Sequence, residues 1–476
     1  MKVFKDRQVL VLFLITAVVL RLFSFFTSVL DHDESTYLII GRDLLNGKLL
    51  YYDVIDSKPV GIFAIYAFMG LLFGHSIVMS RLFVALIVGV TAHLLFLVSK
   101  KILNNQPAAL ATGFIYICCT STWNYFGLSP NTELFFNFFT AFSLLFLLKK
   151  SSIRYGVAGV LMGIGFIIKY LVLFDFVALM SFLLVYEIMQ RRSRFSCKDF
   201  LPFLFSGVGF ALPFLMVNLY FFVGNYFEHF RFITYDLPGR YMQQGTTWRF
   251  VKLLLDFSGR FFPVTFLIFY VLFSKQKLLK PRYKYLVNYW IAAILLAIYL
   301  PGKGFSHYAI QLMIPISLIV GVAFHSEFRL GKYARFFFRG KTGMSFGILL
   351  LLVIQVVGIR GKIVRPDEPE VIADYLQKRI THEDNVFVAN YEQIVYLLLE
   401  KECPTKYVHS SILNSPHLSM AFNVNPELEL IEVLKKKPKY ILIENKFELL
   451  EKMIHSDYIL ERSFFNEKVR AYRRVL

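Results

Sequence analysis

Residues 31–59, DHDESTYLIIGRDLLNGKLLYYDVIDSKP, carry six carboxylates (Asp31, Asp33, Glu34, Asp43, Asp53 and Asp56) and close on Lys58 beside Pro59. A carboxylate can take a proton from a hydroxyl, and a nearby ammonium can hold an anion. Side chains with the same two capacities recur along the chain. Glu133 lies in SPNTELFFNFF, Lys169 in GIGFIIKYLVLF, and Lys303, His307 and Tyr308 in GKGFSHYAIQLMIP, while Arg21 and Arg81 fall within apolar runs. Singly, each has an ordinary explanation: lysines snorkel, tyrosines belong to interfacial belts, and acids cap helices. Brought to one side of one membrane, they would form a site for activating a hydroxyl beside an anionic group.

The elements that must position them are membrane helices. The chain is 56% hydrophobic, with 52 Phe and 27 Tyr in 476 residues. Its apolar runs of about 20 residues match the roughly 30 Å of hydrocarbon to be crossed. They fall near 9–30, 76–98, 107–124, 131–148, 153–168, 170–189, 200–223, 250–273, 285–300, 306–325 and 343–359. This predicts a polytopic α-helical membrane protein of about eleven transmembrane helices. The net charge of +19 is not a nucleic-acid signal here, because Lys and Arg collect at alternate junctions: MKVFKDR, SKK at 99, KKSSIR at 149, RRSRFSCK at 191, SKQKLLKPRYK at 274 and RLGKYARFFFRGK at 329. The positive-inside rule makes these junctions cytoplasmic. The first external loop, 31–75, and everything after 360 then lie outside. Glu133, Lys169 and Lys303 fall at external turns. The stretch ESTYLIIGRDLLNG, apolar at 37, 38, 40, 44 and 45, predicts a short helix lying along the interface.

The first run is expected to remain in the protein, since its apolar core is long and no small-residue cleavage site follows. With Cys118 and Cys119 in a span, Cys197 in a cytoplasmic loop and only Cys403 outside, no disulfide is expected. The transmembrane part is assigned to 1–360. From 361 to 476 the pattern becomes that of an extracytoplasmic α/β domain. Helices are predicted at PEVIADYLQKRI, EQIVYLLLEK and PELELIEVLKKK, strands at NVFVAN, TKYVH and KYILIEN, and an edge strand at KVRAYRRV. This layer contains no glycine-rich phosphate loop, and it is expected to cap or recognise while the chemistry occurs elsewhere.

Asp33-Glu34-x-x-Tyr37, the turn at Gly47 leading to YYD, and Lys58-Pro59 together resemble the first external loop of membrane glycosyltransferases of the glycosyltransferase C superfamily. The likeness is greatest to the protein O-mannosyltransferase and aminoarabinose transferase relatives. SPNTELFF, GVLMGIGFIIK, HYAIQLMIP and IADYLQKR continue the resemblance in order along the chain. It implies a polyprenyl-phosphate-linked sugar donor, a protein, lipid or glycan acceptor, and a multi-pass protein of the inner (plasma) membrane. By the same resemblance Asp33 is the general base, Glu34 its neighbour and Glu133 the second acidic position. Lys58 binds the lipid-linked phosphate, with His307 and Tyr308 near it. Lys303, Arg81 and Lys169 are the further candidate cations. Many relatives have Lys-Pro-Pro where this chain has Lys58-Pro59-Val60, and many have Asp where it has Glu133.

Direct attack by one activated hydroxyl implies inversion at the sugar carbon. Lysine and histidine can take the place of a metal, so no cofactor is expected, although carboxylates this dense are able to hold a divalent cation. The competing class is a transporter or flippase of a lipid-linked sugar, because ionisable residues within spans also mark transport paths. No internal repeat supports it, and the ionisable residues gather at one face rather than near the midplane.

Overall fold

The structure, a computed structural model, describes residues 4–192, 195–241, 247–274, 276, 278–302, 304–329, 331, 342–343, 345–350, 353 and 365–475. Two compact units emerge. One comprises Met1–Phe25, Arg81–Tyr220 and Met242–Gly361; the other comprises Phe26–Ser80, Phe221–Tyr241 and Lys362–Leu476.

The first unit is helical. Among the described residues, five helices are long and apolar enough to cross a membrane: Asp6–Phe26, Ile77–Leu103, Val172–Arg191, Cys197–Val223 and Ser306–Phe324. Thr247–Arg260 and Phe262–Phe273 add a sixth span if they are taken as one, with a 96° bend between them. The first ten expected runs each fall on helix, and the eleventh lies largely outside the described residues. Among the described residues, some of the expected spans are short. Gln106–Thr120, Thr132–Leu147 and Ser152–Ile168 are apolar but only 15, 16 and 17 residues long, whereas a full span needs about 20.

Small residues set the closest packing. A Cβ on Gly159 would lie 2.1 Å from the Ser206 carbonyl oxygen, and one on Gly163 would lie 2.4 Å from that of Phe210. Ser152–Ile168 and Cys197–Val223 therefore approach backbone to backbone, as small-residue stripes permit in lipid. Arg21 is explained locally. Its two terminal nitrogens donate to the carbonyls of Thr120 and Leu128, both at 2.9 Å, and satisfy a chain break that hydrocarbon could not.

The second unit joins the first-loop segment to the α/β layer. Its sheet has the order β1-β2-β4-β3, formed by Val386–Val388 (β1), Tyr440–Glu444 (β2), Tyr458–Phe464 (β3) and Val469–Arg474 (β4). β1 runs parallel to β2, while β4 pairs antiparallel with both β2 and β3. Phe387, Ile441, Ile443, Leu430 and Leu450 pack its core. Two expectations are corrected. KVRAYRRV is an inner strand, because YILERSF, which was given no element, supplies the edge. TKYVH forms only an isolated bridge, Tyr407 to Ile55, so its extended chain pairs with the first loop rather than with the sheet.

The first-loop helix runs His32–Leu45, with Asp31 as N-cap accepting from the Asp33 amide at 3.4 Å. Residues 34–41 and 43 of this helix are all buried, so it is packed on more than one face. The reason is a second helix, Val60–Phe73, packed so tightly that a Cβ on Gly41 would sit 2.9 Å from the Tyr66 carbonyl carbon. Asp43 is buried with it and ion-paired to Arg42 at 3.2 Å and to Lys48 at 3.1 Å.

Candidate active site

Asp33 stands in the first turn of His32–Leu45, and Lys58 immediately precedes Pro59, the N-cap of Val60–Phe73. Packing of these two helices brings Lys58 Nζ to 2.6 Å from Asp33 Oδ1. The backbone that carries Lys58 is tied down as well, because the hydroxyl of buried Tyr51 donates to the Lys58 carbonyl at 2.7 Å. The ammonium also lies 3.6 Å from Asp56 Oδ1 and 5.8 Å from the centre of the Tyr37 ring. Asp56 is 2% exposed, and its Oδ2 is buried with no hydrogen-bond partner among the described residues.

The α/β layer, expected to cap or recognise, places a side chain beside Asp33. His409 Nε2 lies 3.8 Å from Asp33 Oδ1, and its ring stacks on His32 at 6.1 Å. Burial holds the His409 imidazole below its usual pKa, with Lys58 adding to the effect while Asp56 and Asp33 oppose it. Gln393, also from this layer, donates to the His32 carbonyl and to Thr36 Oγ1, both at 2.7 Å. Glu392 approaches His32 Nδ1 at 3.3 Å. The first turn that carries Asp33 is thus fixed by residues more than 350 positions away in sequence. Sequence spacing gave no hint of His409, Glu392 or Gln393, since no local motif surrounds them. The bridge between Ile55 and Tyr407 is the backbone contact that brings them in.

Glu34 is buried in the same turn. The Asp33 group is thus a carboxylate and an ammonium in contact, flanked by a second carboxylate and a neutral-leaning imidazole. That set can accept a proton and can neutralise an anion. Among the described residues, no group of three or more His, Cys, Asp or Glu side chains is disposed to hold a metal.

The first unit holds a separate polar group. Glu133, 0% exposed in the first turn of Thr132–Leu147, accepts from Lys169 Nζ at 2.5 Å and from Thr132 Oγ1 at 2.9 Å. Lys169 lies at the break after Ser152–Ile168, where an extended backbone swings it 4.3 Å above the Tyr308 ring. His307 packs edge-on against Tyr308 at 4.9 Å and stacks on Phe305 at 5.5 Å. Four of the expected residues thus meet: Glu133, Lys169, His307 and Tyr308. Arg81 is buried and donates to the Ser24 carbonyl. Lys303 lies outside the described residues. Sequence reading passed over Asp175, buried in Val172–Arg191, which takes the Trp290 indole N–H at 2.5 Å and the Gln311 amide at 2.6 Å.

Residues 57–221 match the profile of the family described as dolichyl-phosphate-mannose-protein mannosyltransferase. In structure, the chain is similar to ArnT from Cupriavidus metallidurans bound to undecaprenyl phosphate, with a TM-score of 0.69 at 16% identity over 98% of both chains. The fold is that of ArnT. The apo ArnT structure from the same organism gives a TM-score of 0.65, again at 16% identity, covering 98% of this chain and 97% of that one. No curated protein sequence matches the chain.

Proposed function

We propose that this chain transfers a sugar from a polyprenyl-phosphate donor to an acceptor hydroxyl on the outer face of the membrane. One observation carries the proposal: Lys58 and Asp33 are in direct contact at 2.6 Å, with His409 beside them. Asp33 removes the acceptor proton, the acceptor oxygen forms its bond to the anomeric carbon, and the bond from that carbon to the phosphate oxygen breaks. Polyprenyl phosphate departs with the bonding electron pair, its charge met by Lys58. A single displacement of this kind inverts the anomeric centre.

Lys58 plays both parts. Before the donor arrives its charge is balanced by Asp33, and when a phosphate draws the ammonium away, the carboxylate is freed for the acceptor. Asp56, 3.6 Å from the same ammonium, can share Lys58 with Asp33. For the second group the proposed roles are Lys169 and His307 toward the donor anion, with Tyr308 supporting Lys169 and Glu133 fixing it. Arg81 is kept as a positioning residue through Ser24. Support from likeness comes from the family match, which spans Lys58, and from an ArnT structure that holds undecaprenyl phosphate.

Purified protein in detergent, given a sugar-loaded polyprenyl phosphate and a mixture of envelope acceptors, should release free polyprenyl phosphate. A flippase has no second compartment in detergent and would release none. Release that proceeds unchanged without Asp33 and Lys58 would place the chemistry elsewhere.

A further inference from the structure

A cavity lies in the helical unit, at the end of Thr132–Leu147 opposite Glu133. It is lined by Leu144 and Leu147 of Thr132–Leu147, Leu183 of Val172–Arg191, Ile319, Trp290 and Arg282. Glu133 opens the helix that Leu147 closes, so the Leu147 wall lies about 21 Å from Glu133 along the helix axis. The cavity therefore sits at the helix ends that bear the basic junctions around 99–101, 149–150 and 274–284.

Its volume is about 70 Å³. That is room for more than one water, but a water needs two to four polar partners, and these walls are mostly leucine and isoleucine. Ser99 is already engaged by Thr112 at 3.0 Å, and the Trp290 N–H by Asp175. Hydrocarbon suits the cavity and water does not.

Arg282 gives it a charged end. Its guanidinium lies 4.7 Å from the Tyr186 ring centre and 5.9 Å from that of Tyr283. Its Nε is buried with no hydrogen-bond partner among the described residues. The nearby acid, Glu187, is already taken by Lys150 at 2.9 Å and by Arg191. The segments outside the described residues contain no Asp or Glu, so no counter-ion comes from them. Helix Pro281–Tyr299 begins without a side-chain cap, and its positive end reinforces the same field.

We propose that this cavity binds an anionic phospholipid, with a few methylenes of one acyl chain among Leu147, Leu183, Ile319 and Trp290 and the phosphate at Arg282. The site is independent of sugar transfer, and a resident lipid there would brace the short helix Thr132–Leu147 from its far end.

Trp290 supplies the readout. In a Trp123→Phe/Trp248→Phe background, which leaves Trp290 as the single tryptophan, phosphatidylglycerol brominated on its acyl chain should quench emission. It should do so at about five-fold lower mole fraction than brominated phosphatidylcholine, the preference one arginine gives an anionic headgroup. Arg282→Gln should abolish that preference while Arg282→Lys keeps most of it, and Leu147→Phe, which fills the slot, should weaken quenching by both lipids. Equal quenching by the two lipids in the parent, or a preference that survives Arg282→Gln, overturns the proposal. Displacement of the brominated lipid by undecaprenyl phosphate more readily than by unlabelled phosphatidylglycerol overturns it too, by making the cavity a donor site.

Discussion

Lys58 Nζ lies 2.6 Å from Asp33 Oδ1, joining the N-terminal ends of two packed helices. Both side chains are about four-fifths buried, at 19% and 18% exposure. A pair this sheltered is costly to break from one side, because the remaining charge stays desolvated. Incoming groups of matching charge can replace either partner, and a phosphate with a hydroxyl would replace both.

Asp33→Asn removes basicity with almost no change of shape. If Asp33 is the general base, sugar transfer should fall by ~10² to 10⁴ while the protein still inserts in the membrane. Asp43 is a poor comparison, being buried and ion-paired, whereas Asp374 is exposed on Glu368–Gln377 and Asp374→Asn should retain full rate. Transfer of a labelled sugar in membranes with matched protein amounts decides. Parental activity in Asp33→Asn would remove it from the mechanism and leave Glu133 as the next candidate base.

Lys58→Ala tests the phosphate contact. A charge-assisted hydrogen bond is worth ~1.5 to 3 kcal/mol, so donor affinity should drop roughly ten- to hundred-fold. Titration of polyprenyl phosphate by calorimetry on the detergent-solubilised variant measures it directly. Affinity equal to that of the parent would reduce Lys58 to a structural partner of Asp33.

Much of this was legible in the sequence because membrane helices and their basic junctions are written in composition. Asp33, Lys58 and Glu133 carried their own local context: an acid after a span, a lysine locked before proline, and an acid at a helix start. His409 had none. It acts through tertiary pairing of residues 55 and 407, a non-local contact that no periodicity encodes. The extended TKYVH segment was legible, but its partner was not. The edge strand Tyr458–Phe464 was hidden because it follows no alternation: Ile459 and Leu460 are exposed along with Arg462 and Ser463, and only its two ends are buried. The number of full crossings is less legible, because hydropathy measures apolarity, not how far a short helix reaches.

The Glu133–Lys169 pair should behave as a buried unit. Lys169→Ala strands a fully buried carboxylate and is expected to cost about 3 to 5 kcal/mol, whereas Lys169→Met with Glu133→Gln removes both charges and should recover most of that loss. Thermal melting in detergent compares the two. A Lys169→Ala variant that melts with the parent would show that the pair contributes nothing to stability.

His409 predicts a pH effect of defined sign. Its pKa in the folded protein is lowered, by burial first and by Lys58 second, so the unfolded chain takes up the proton more readily. Stability is then complete above the ordinary histidine value of ~6.5 and declines as pH falls through it. His409→Gln abolishes this contribution. Melting at about pH 7.5 and about pH 5.5 should show a larger acid loss in the parent than in the variant. Equal losses would mean that His409 ionises as freely in the fold as out of it.

Orientation is the remaining prediction, and it rests on charge alone. Lys and Arg concentrate at alternate junctions, and such residues stay on the cytoplasmic side, so the α/β layer after 361 should face outward. A suitable reporter is Met420→Cys, at a side chain 71% exposed on Pro416–Ala421. The exposed native thiol of Cys197 is removed by Cys197→Ser. In intact cells a membrane-impermeant maleimide that has crossed any outer envelope should label position 420. The same reagent should reach Cys197, restored in a chain lacking the new cysteine, only after the membrane is opened. Labelling in the reverse order would invert the topology and put the Asp33 group on the cytoplasmic face, where an outward-facing acceptor could not reach it.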